Sequence, residues 1–302
     1  TGSDLSLLRG ALGGFATALG TNGFQPKRPP GPDHSKESLV SIIALGMEGG
    51  GDGFTAPDAS IFWEPLIGEG ATAITRPVFL MVIAGALVAW FLLATTKRRA
   101  LVPSKGQMMT EGAYGLVRNS IAKDIIGSHE FLRFVPLLFT MFLLILVNNF
   151  FGVIPPFNYP TMSRIGFPVA LALVIWVVFH VVGMKKHGFV GYWKSLVPSG
   201  LPGGMVPAIF ILELITDLFT RPVTLGLRLF GNMFAGHILM ALFISGGWYM
   251  LQAGGILPVA GAVTWAFAIV MTLFEMLVEF LQAYVFTLLS ALYIAGAVAD
   301  SH

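Results

Sequence analysis

Long runs of apolar residues occupy most of this chain, a pattern typical of helices that cross a lipid bilayer. A spanning helix needs about 20 consecutive, predominantly apolar residues. Three segments of at least that length carry no Asp, Glu, Lys or Arg, at residues 77–96, 134–162 and 165–184. The middle segment also contains Pro155 and Pro156, which interrupt a helix. The pattern therefore predicts three membrane-crossing helices in this part of the chain.

Two longer apolar stretches follow, at residues 205–246 and 258–299. A helix rises about 1.5 Å per residue, so each stretch would be about 60 Å long, twice the thickness of a hydrocarbon core. Each helix must therefore either break or lie strongly tilted, and we favour tilt. The predicted turn between them contains glycine and proline residues: Gly246, Gly247, Gly254, Gly255 and Pro258.

Two segments depart from the apolar pattern. Residues 103–133 mix charges with spaced apolar positions, which is typical of an amphipathic helix on the membrane surface. Residues 1–75 are rich in glycine and proline, and they predict a loosely ordered N-terminal extension outside the cytoplasm, ahead of a membrane domain at 76–302. The predicted fold is an all-α polytopic membrane protein with about five crossing helices, one interfacial amphipathic helix and a strongly tilted, long C-terminal helical hairpin.

The composition agrees with a membrane protein and excludes several other classes. Only 11% of the residues are charged, whereas soluble domains carry about 25%. A chain so poor in charge cannot cover a soluble surface. The net charge of +2 is too small to indicate a nucleic-acid partner. The absence of cysteine excludes disulfides, thiol catalysis and cysteine-based metal sites.

Basic residues are distributed unequally between the two sets of loops. Residues 97–133 hold seven Lys and Arg and residues 185–204 hold three, whereas residues 155–164 hold only Arg164 and residues 247–257 hold none. Loops rich in Lys and Arg remain in the cytoplasm. We therefore expect a multi-pass protein of the cell membrane with its N-terminus outside and its C-terminus in the cytoplasm.

The C-terminal pair of helices holds ionisable residues at depths where lipid penalises them. A charge at the bilayer centre costs about 3 kcal/mol on insertion scales, so such residues pair, line water or move ions. There are seven of them: Glu213, Asp217, Arg221, Arg228 and His237 on the first helix, and Glu275 and Glu279 on the second. No Asp, Glu, Lys or Arg lies between residues 229 and 274, so Arg228 is not part of a solvated face.

Helical spacing arranges the polar residues in two stripes. One contains Asp217, Arg221, Thr224 and Arg228 and is continued by Asn232; the other contains Glu275, Glu279, Gln282 and Phe286. His237 falls on the side opposite Arg228. Facing polar stripes can enclose a hydrated proton path, interrupted by an arginine that does not release its proton.

Simpler interpretations remain open for several of these residues. Arg228 could be a structural partner of Glu279, and Glu213 and Arg221 could extend to the membrane surface. We interpret His180 as a core or lumen-facing polar residue rather than a ligand. For the Asn148–Asn149 pair we expect a structural role, with hydrogen bonds between helices.

Three sequence runs resemble subunit a of F-type ATP synthases. RPVTLGLRLFGNMFAGHILMA, at 221–241, is similar to the family's signature, and EFLQAYVFTLLSALY, at 279–293, is similar to its last helix. A weaker likeness at 148–155, NNFFGVIP, extends the resemblance over about 75–299. It implies a non-catalytic stator subunit whose last two helices lie tilted against a ring of c subunits. The implied partners are that ring, subunit b of the peripheral stalk, the remaining synthase subunits, lipid and protons, without a cofactor or metal.

The resemblance also implies roles for individual positions. Arg228 matches the arginine that faces the ring carboxylate, with Asn232 and Gln282 as its polar neighbours. His237 and Glu275 match two positions of the half-channel open to the outside, filled in some members by the acid first and the histidine second. On the cytoplasmic side either Glu213 or Asp217 would serve. Glu279 shares the stripe of Glu275 and completes the predicted set for proton translocation.

The predicted function is proton translocation coupled to ring rotation and ATP synthesis, with sodium left open as the coupling ion. One rival is a secondary transporter that binds an anion at Arg228, but the inverted repeats of such proteins are not evident. The other is an intramembrane enzyme. The sequence has no G-x-x-x-x-G-K-[ST], H-E-x-x-H or G-x-S-x-G motif to support it.

Overall fold

The computed structural model describes residues 54, 56–57, 65–67, 74–97, 105–128, 130–154, 159–196, 202 and 204–299. Most of the predicted extension at 1–75 lies outside these residues, as do Pro155, Pro156 and the last three residues of the chain. A short antiparallel pair, β1 (Pro65–Ile67) and β2 (Ile74–Thr75), precedes the first helix. The rest of the described regular structure is helical, which confirms the predicted all-α class.

Seven helices follow the strand pair in the described part of the chain. They are α1 (Arg76–Lys97), α2 (105–126, π-helical over Leu116–Lys123), α3 (Val135–Val153), α4 (Gly166–His187), α5 (Phe189–Ser195), α6 (Val206–Gln252, π-helical over Thr216–Thr220) and α7 (Leu257–Val298). Five of them, α1, α3, α4, α6 and α7, are long and apolar enough to cross a membrane. The predicted number of crossing helices is thus confirmed.

Helix α3 ends earlier than the apolar run that contains it. The run extends over 134–162, but the helix stops at Val153 and Ile154 is extended. A proline disfavours the helical conformation of the residue before it, and Pro155 follows Ile154 in the sequence. A 3₁₀ turn at Thr161–Ser163 then leads into α4.

Helices α6 and α7 form the long C-terminal hairpin. Helix α7 is unbroken over 42 residues, and α6 is widened by its π-helical segment without being interrupted. A break in either helix, one of the two predicted alternatives, is therefore wrong. Tilt remains a prediction. Helix α6 also continues to Gln252, beyond the predicted end at residue 246.

Close contact between two glycines explains why α6 continues through Gly246 and Gly247. A Cβ atom on Gly247 would lie 2.6 Å from Cδ1 of Trp265, and one on Gly261 would lie 2.9 Å from the Gly247 carbonyl oxygen. Small residues let membrane helices approach this closely. Gly247, one of the glycines that predicted the turn, instead packs α6 against α7. The turn is confined to residues 253–256, where Gly254 and Gly255 lie as predicted.

The core lies where α3 meets its neighbours. Helix α7 packs against α3, α4 and α6, and α1 packs against α3. Large side chains such as Leu138, Phe142 and Ile145 of α3 are fully buried. Many outward apolar side chains are exposed, including Trp90 of α1 at 67%. An apolar surface of this extent fits a lipid environment.

Candidate functional site

The polar stripe of α7 faces the protein interior. Glu275, Glu279, Gln282 and Phe286 are all buried, as their helical spacing predicts for one face. Glu279 is only 1% exposed. Neighbouring residues on the other side of α7, such as Leu277, are exposed. The packing of α7 against α3 and α6 therefore brings its ionisable residues into the protein rather than into lipid.

His237 of α6 joins the two acids of α7 in one cluster. One ligand atom from each of His237, Glu275 and Glu279 lies within 4.8 Å of the other two, and all three residues are buried. We refer to them as the acid–histidine cluster. Two carboxylates this close repel each other when both are charged. A proton or cation held between them removes that repulsion.

Helix α3 contributes its backbone to the cluster. The Nε2 atom of His237 lies 2.8 Å from the carbonyl oxygen of Gly152. A carbonyl can only accept a hydrogen bond, so Nε2 carries the hydrogen. Asn149, one turn earlier on α3, donates from Nδ2 to the backbone carbonyl of Glu279 over 3.1 Å. The expected hydrogen bond between helices at the Asn148–Asn149 pair thus exists at Asn149.

Two glycines provide the space that the cluster occupies. A Cβ atom on Gly152 would lie 2.5 Å from Cε1 of His237 and 3.2 Å from Oε1 of Glu279. A Cβ atom on Gly236 would lie 2.0 Å from Oε1 of Glu275. Sequence reasoning did not identify either glycine as a site residue. Their positions within the NNFFG and FAGH runs were the available signal.

Several buried polar atoms around the cluster have no hydrogen-bond partner among the described residues. They are Oδ1 of Asn149, Oε1 of Glu275, both carboxylate oxygens of Glu279 and Nε2 of Gln282. A buried polar group without a hydrogen-bond partner costs about 1–3 kcal/mol of stability. Proteins keep such groups mainly where they have a function. One imidazole and two carboxylates could also ligate a divalent metal ion. The resemblance described above implies no metal.

Arg228 lies on a different surface from the cluster. Its side chain is exposed on α6, as are those of Val223, Thr224 and Leu227, and Asn232 is half-buried. Within the described part of the chain Arg228 makes no ion pair, and Glu279 points into the core. The interpretation of Arg228 as a structural partner of Glu279 is therefore wrong. The guanidinium is presented outward from α6.

Asp217 is the centre of a separate polar network. Its side chain is fully buried, and Arg221 Nη1 contacts Oδ1 in an ion pair. Its Oδ2 atom accepts a hydrogen bond of 3.1 Å from the Tyr192 hydroxyl and lies 3.1 Å from His180 Nε2. The His180 contact is within ion-pairing distance but lacks the alignment of a hydrogen bond. Residues from α4, α5 and α6 thus meet at one carboxylate.

The single stripe predicted along α6 is therefore divided between two environments. Asp217 points into the protein, Arg221 is partly exposed, and Thr224 and Arg228 are exposed. The π-helical segment at Thr216–Thr220 interrupts the regular i, i+4 spacing on which that prediction rested. Glu213, one turn earlier, is half-buried, and its carboxylate makes no hydrogen bond or ion pair with another described residue.

His180 and Tyr192 both contact Asp217 in this network, and the sequence pattern did not indicate these contacts. The Nδ1 atom of His180 donates to the Trp176 carbonyl over 2.9 Å, since a carbonyl can only accept. The Tyr192 ring lies against Gly183, where a Cβ atom would be 2.3 Å from Cε2 of the ring. Burial, and then the nearby Asp217 carboxylate, raise the pKa of the Tyr192 phenol above its usual range. Tyr192 therefore remains a hydrogen-bond donor.

Comparisons with known proteins agree over most of the chain. The family model described as ATP synthase A chain matches residues 78–295. ATP synthase subunit a of Nocardioides sp. (strain ATCC BAA-499 / JS614) is 46% identical, over 83% of this chain and 96% of that protein. The protein of the same name from Pseudarthrobacter chlorophenolicus is 40% identical, over 86% of this chain and 100% of its own length. That of Streptomyces lividans is 35% identical, over 83% and 90%.

Proposed function

Since this chain belongs to the family of ATP synthase A chains, we propose that it is the stator subunit in which two proton half-channels meet a rotating ring of c subunits. Family membership makes it a membrane subunit of a proton-translocating ATP synthase. The observation that carries the finer proposal is the separation of the buried acid–histidine cluster from the outward guanidinium of Arg228. The acid–histidine cluster can hold protons inside the subunit, and the guanidinium of Arg228 can face a neighbouring c subunit.

We assign the acid–histidine cluster to the half-channel that opens to the outside. Buried carboxylates and an imidazole within 4.8 Å of one another can pass a proton along short steps. Gln282, one turn beyond Glu279 on α7, extends the polar surface toward the cytoplasmic end of that helix. Protons enter past His237 and Glu275, reach Glu279, and neutralise a carboxylate of the ring.

We assign Arg228 the task of separating the two half-channels. Its guanidinium stays charged at any physiological pH, so it favours the ionised form of an arriving ring carboxylate and repels a proton moving directly between the paths. Asn232 lies one turn farther along α6 and supplies a polar neighbour. Ring rotation then carries each protonated carboxylate away from Arg228 and around to the cytoplasmic half-channel, which is served by Glu213 or Asp217.

The proposed orientation places the N-terminus outside and α5 in the cytoplasm, in the cell membrane. In this orientation each proton gains about 2.3 kcal/mol per 100 mV as it crosses. A 42-residue α7 is about 63 Å long, which exceeds a hydrocarbon core, so we propose that it lies strongly tilted against the ring. Helix α2 lies on the membrane surface. Subunit b and the remaining synthase subunits are the other partners.

The test replaces Arg228 in the assembled synthase and measures ATP-driven proton pumping in membrane vesicles. We expect Arg228→Ala to abolish coupled pumping. Arg228→Lys should fail as well, because lysine can lose its proton when desolvated and lacks the planar guanidinium. Arg118→Ala is the control for loss of an arginine elsewhere, since Arg118 lies on α2 and not on the two helices of the proposed ring surface. Pumping at a near-normal rate per assembled complex in both Arg228 variants would overturn the proposed role.

A further inference from the structure

The acid–histidine cluster has the composition of a metal-binding site. One ligand atom from each of His237, Glu275 and Glu279 lies within 4.8 Å of the other two, and each residue is at most 5% exposed. Oε1 of Glu275 and both carboxylate oxygens of Glu279 have no hydrogen-bond partner among the described residues. Buried carboxylates are normally paired with a donor or coordinate a metal ion. The cluster therefore provides unsatisfied ligand atoms for a cation.

The mixed ligand set discriminates between divalent cations. Mg²⁺ and Ca²⁺ prefer six or more oxygen ligands. Zn²⁺ is bound by imidazole nitrogen and carboxylate oxygen, and three protein ligands with water in the fourth position are sufficient. Around a tetrahedral zinc ion the ligand atoms are roughly 3.3 Å apart. Side-chain rotations that draw the three atoms together from their present separation, of up to 4.8 Å, would complete such a site.

The backbone of α3 supports the cluster in the manner of an outer ligand shell. A histidine that ligates a metal usually has its other ring nitrogen held by a carbonyl or carboxylate. The Gly152 carbonyl accepts such a hydrogen bond from Nε2 of His237 over 2.8 Å. Asn149 donates to the backbone carbonyl of Glu279 and fixes the part of α7 that bears this carboxylate. Three helices, α3, α6 and α7, therefore position the ligands.

The position of the cluster along α3 indicates the side from which a cation would arrive. Gly152 lies in the last turn of α3, which ends at Val153. In the proposed orientation this end of α3 faces the outside. His237 and Glu275 are also the residues past which protons are proposed to enter. A cation from outside would thus meet the cluster before it could reach the ring.

We propose, on the basis of the function proposed above for this half-channel, that the acid–histidine cluster is a binding site for Zn²⁺ through which external zinc blocks proton entry. A nitrogen or oxygen that ligates zinc cannot carry a proton at the same time. A single bound ion would occupy His237, Glu275 and Glu279 together, and its two positive charges would balance the two carboxylates. Zinc and protons therefore compete for the same three side chains.

The first experiment counts the zinc bound by the purified, assembled synthase. Parent, Glu279→Gln and Glu275→Gln complexes are equilibrated with a fixed concentration of free Zn²⁺ in the presence of Mg²⁺ and nucleotide, and zinc is measured by mass spectrometry. The parent should bind one more zinc ion per copy of this chain than either variant, because zinc sites elsewhere in the complex are common to all three. Loss of a direct ligand should weaken binding by more than the roughly 10- to 100-fold that loss of an outer-shell partner costs.

Glu111→Gln is the matched control for loss of an acid. Glu111 is exposed on α2 and does not belong to the cluster, so this variant should bind as much zinc as the parent. Two separate acid variants are used so that a failure of one to assemble leaves the other to be measured. Equal zinc in the parent and in the assembled cluster variants would overturn the binding site, whatever happens to pumping.

The second experiment tests the side and the effect of binding. In inverted membrane vesicles the lumen corresponds to the outside of the cell. Vesicles are closed around Zn²⁺, external zinc is removed with a zinc-selective, impermeant chelator, and ATP-driven pumping is measured. Lumenal Zn²⁺ should slow pumping by the parent and by Glu111→Gln several-fold, whereas the same concentration of lumenal Mg²⁺ should not. Both pumping rates are divided by the amount of assembled complex.

The outcomes separate this site from the function on which it rests. If the cluster binds zinc but lumenal zinc leaves pumping unchanged, the proposed block is wrong and the cluster does not lie on the outer proton path. Arg228→Ala should bind zinc like the parent although it does not pump, because Arg228 is exposed on another surface of α6. If Arg228→Ala pumps normally, the proposed function fails, and the zinc count still decides whether the binding site exists.

Discussion

Two glycines determine where the ionisable groups of the acid–histidine cluster can lie. Gly236 leaves the volume that Glu275 fills, and Gly152 leaves the volume shared by His237 and Glu279. The Gly152 carbonyl in addition accepts a hydrogen bond from Nε2 of His237. The positions of three ionisable side chains therefore depend on two glycines, which have no side chain.

Gly236→Ala tests this dependence. The added methyl group would overlap the Glu275 carboxyl, at 2.0 Å from Oε1, so the carboxyl must leave its present position in the cluster. Displacement of a reacting group by about 1 Å can cost as much as a hundredfold in rate, so we expect ATP-driven pumping to fall by roughly ten- to a hundredfold. Gly85→Ala in α1 is the control, because a Cβ atom there would have no atom of another part of the described chain within 4 Å. Equal pumping in the two variants would show that the position of Glu275 is unimportant.

The sequence predicted the identity and depth of the charged residues but not their contacts. Arg228 and Glu275 are conspicuous because no Asp, Glu, Lys or Arg lies between them. The contact of His237 with Gly152 joins residues that are 85 positions apart in the sequence. Local periodicity contains no information about contacts between residues so widely separated. The burial of His180 agrees with its interpretation as a core or lumen-facing polar residue, but the sequence pattern does not indicate its contact with Asp217. Its partner Asp217 lies on another helix, and a π-helical segment turns that aspartate inward.

At the scale of whole elements, the C-terminal hairpin depends on the close approach of α6 and α7. Apolar runs were sufficient to predict two long helices, and their lengths excluded a simple perpendicular crossing. The end of α6 was predicted too early, because glycine pairs occur both in turns and in tight helix contacts. Only the packing of Gly247 against Gly261 distinguishes these two uses.

Gly261→Ala tests the glycine contact between the two helices. A Cβ atom at this position would lie 2.8 Å from the backbone nitrogen of Leu251 and 2.9 Å from the carbonyl oxygen of Gly247, and backbone atoms cannot move aside easily. Overpacking of this kind costs about 1–3 kcal/mol. We expect pumping activity to be lost at a lower temperature when vesicles are heated before assay. Gly254→Ala in the turn has no atom within 4 Å and should behave like the parent. Identical heat sensitivity of both variants would argue against the contact.

The whole molecule is built as a lipid-facing exterior around a polar interior. Exposed apolar side chains cover α1, α6 and α7, while Asp217, His237, Glu275 and Glu279 are buried in the interior. This reverses the usual arrangement of a soluble protein and agrees with five membrane-crossing helices. The orientation of these helices rests on the unequal distribution of Lys and Arg among the loops.

Cysteine labelling tests that orientation, because the chain has no cysteine of its own. Single cysteines at Ser195, in the basic loop after α4, and at Gly254, in the turn between α6 and α7, both occupy exposed positions. A membrane-impermeant thiol reagent added to intact cells should label Gly254→Cys and leave Ser195→Cys unlabelled. Opening the membrane should expose both. Labelling of the two positions from the same side would contradict the proposed topology.

The packing of α7 against α3 and α4 also constrains how the protein is made. A nascent chain leaves the ribosome from its N-terminal end, so these two helices are synthesised before Glu275 and Glu279. Each acid would cost about 3 kcal/mol if it entered lipid alone, whereas the Asn149 side chain and the Gly152 backbone already offer polar surroundings. We therefore expect α3 and α4 to provide the packing surface against which α7 and its two acids insert.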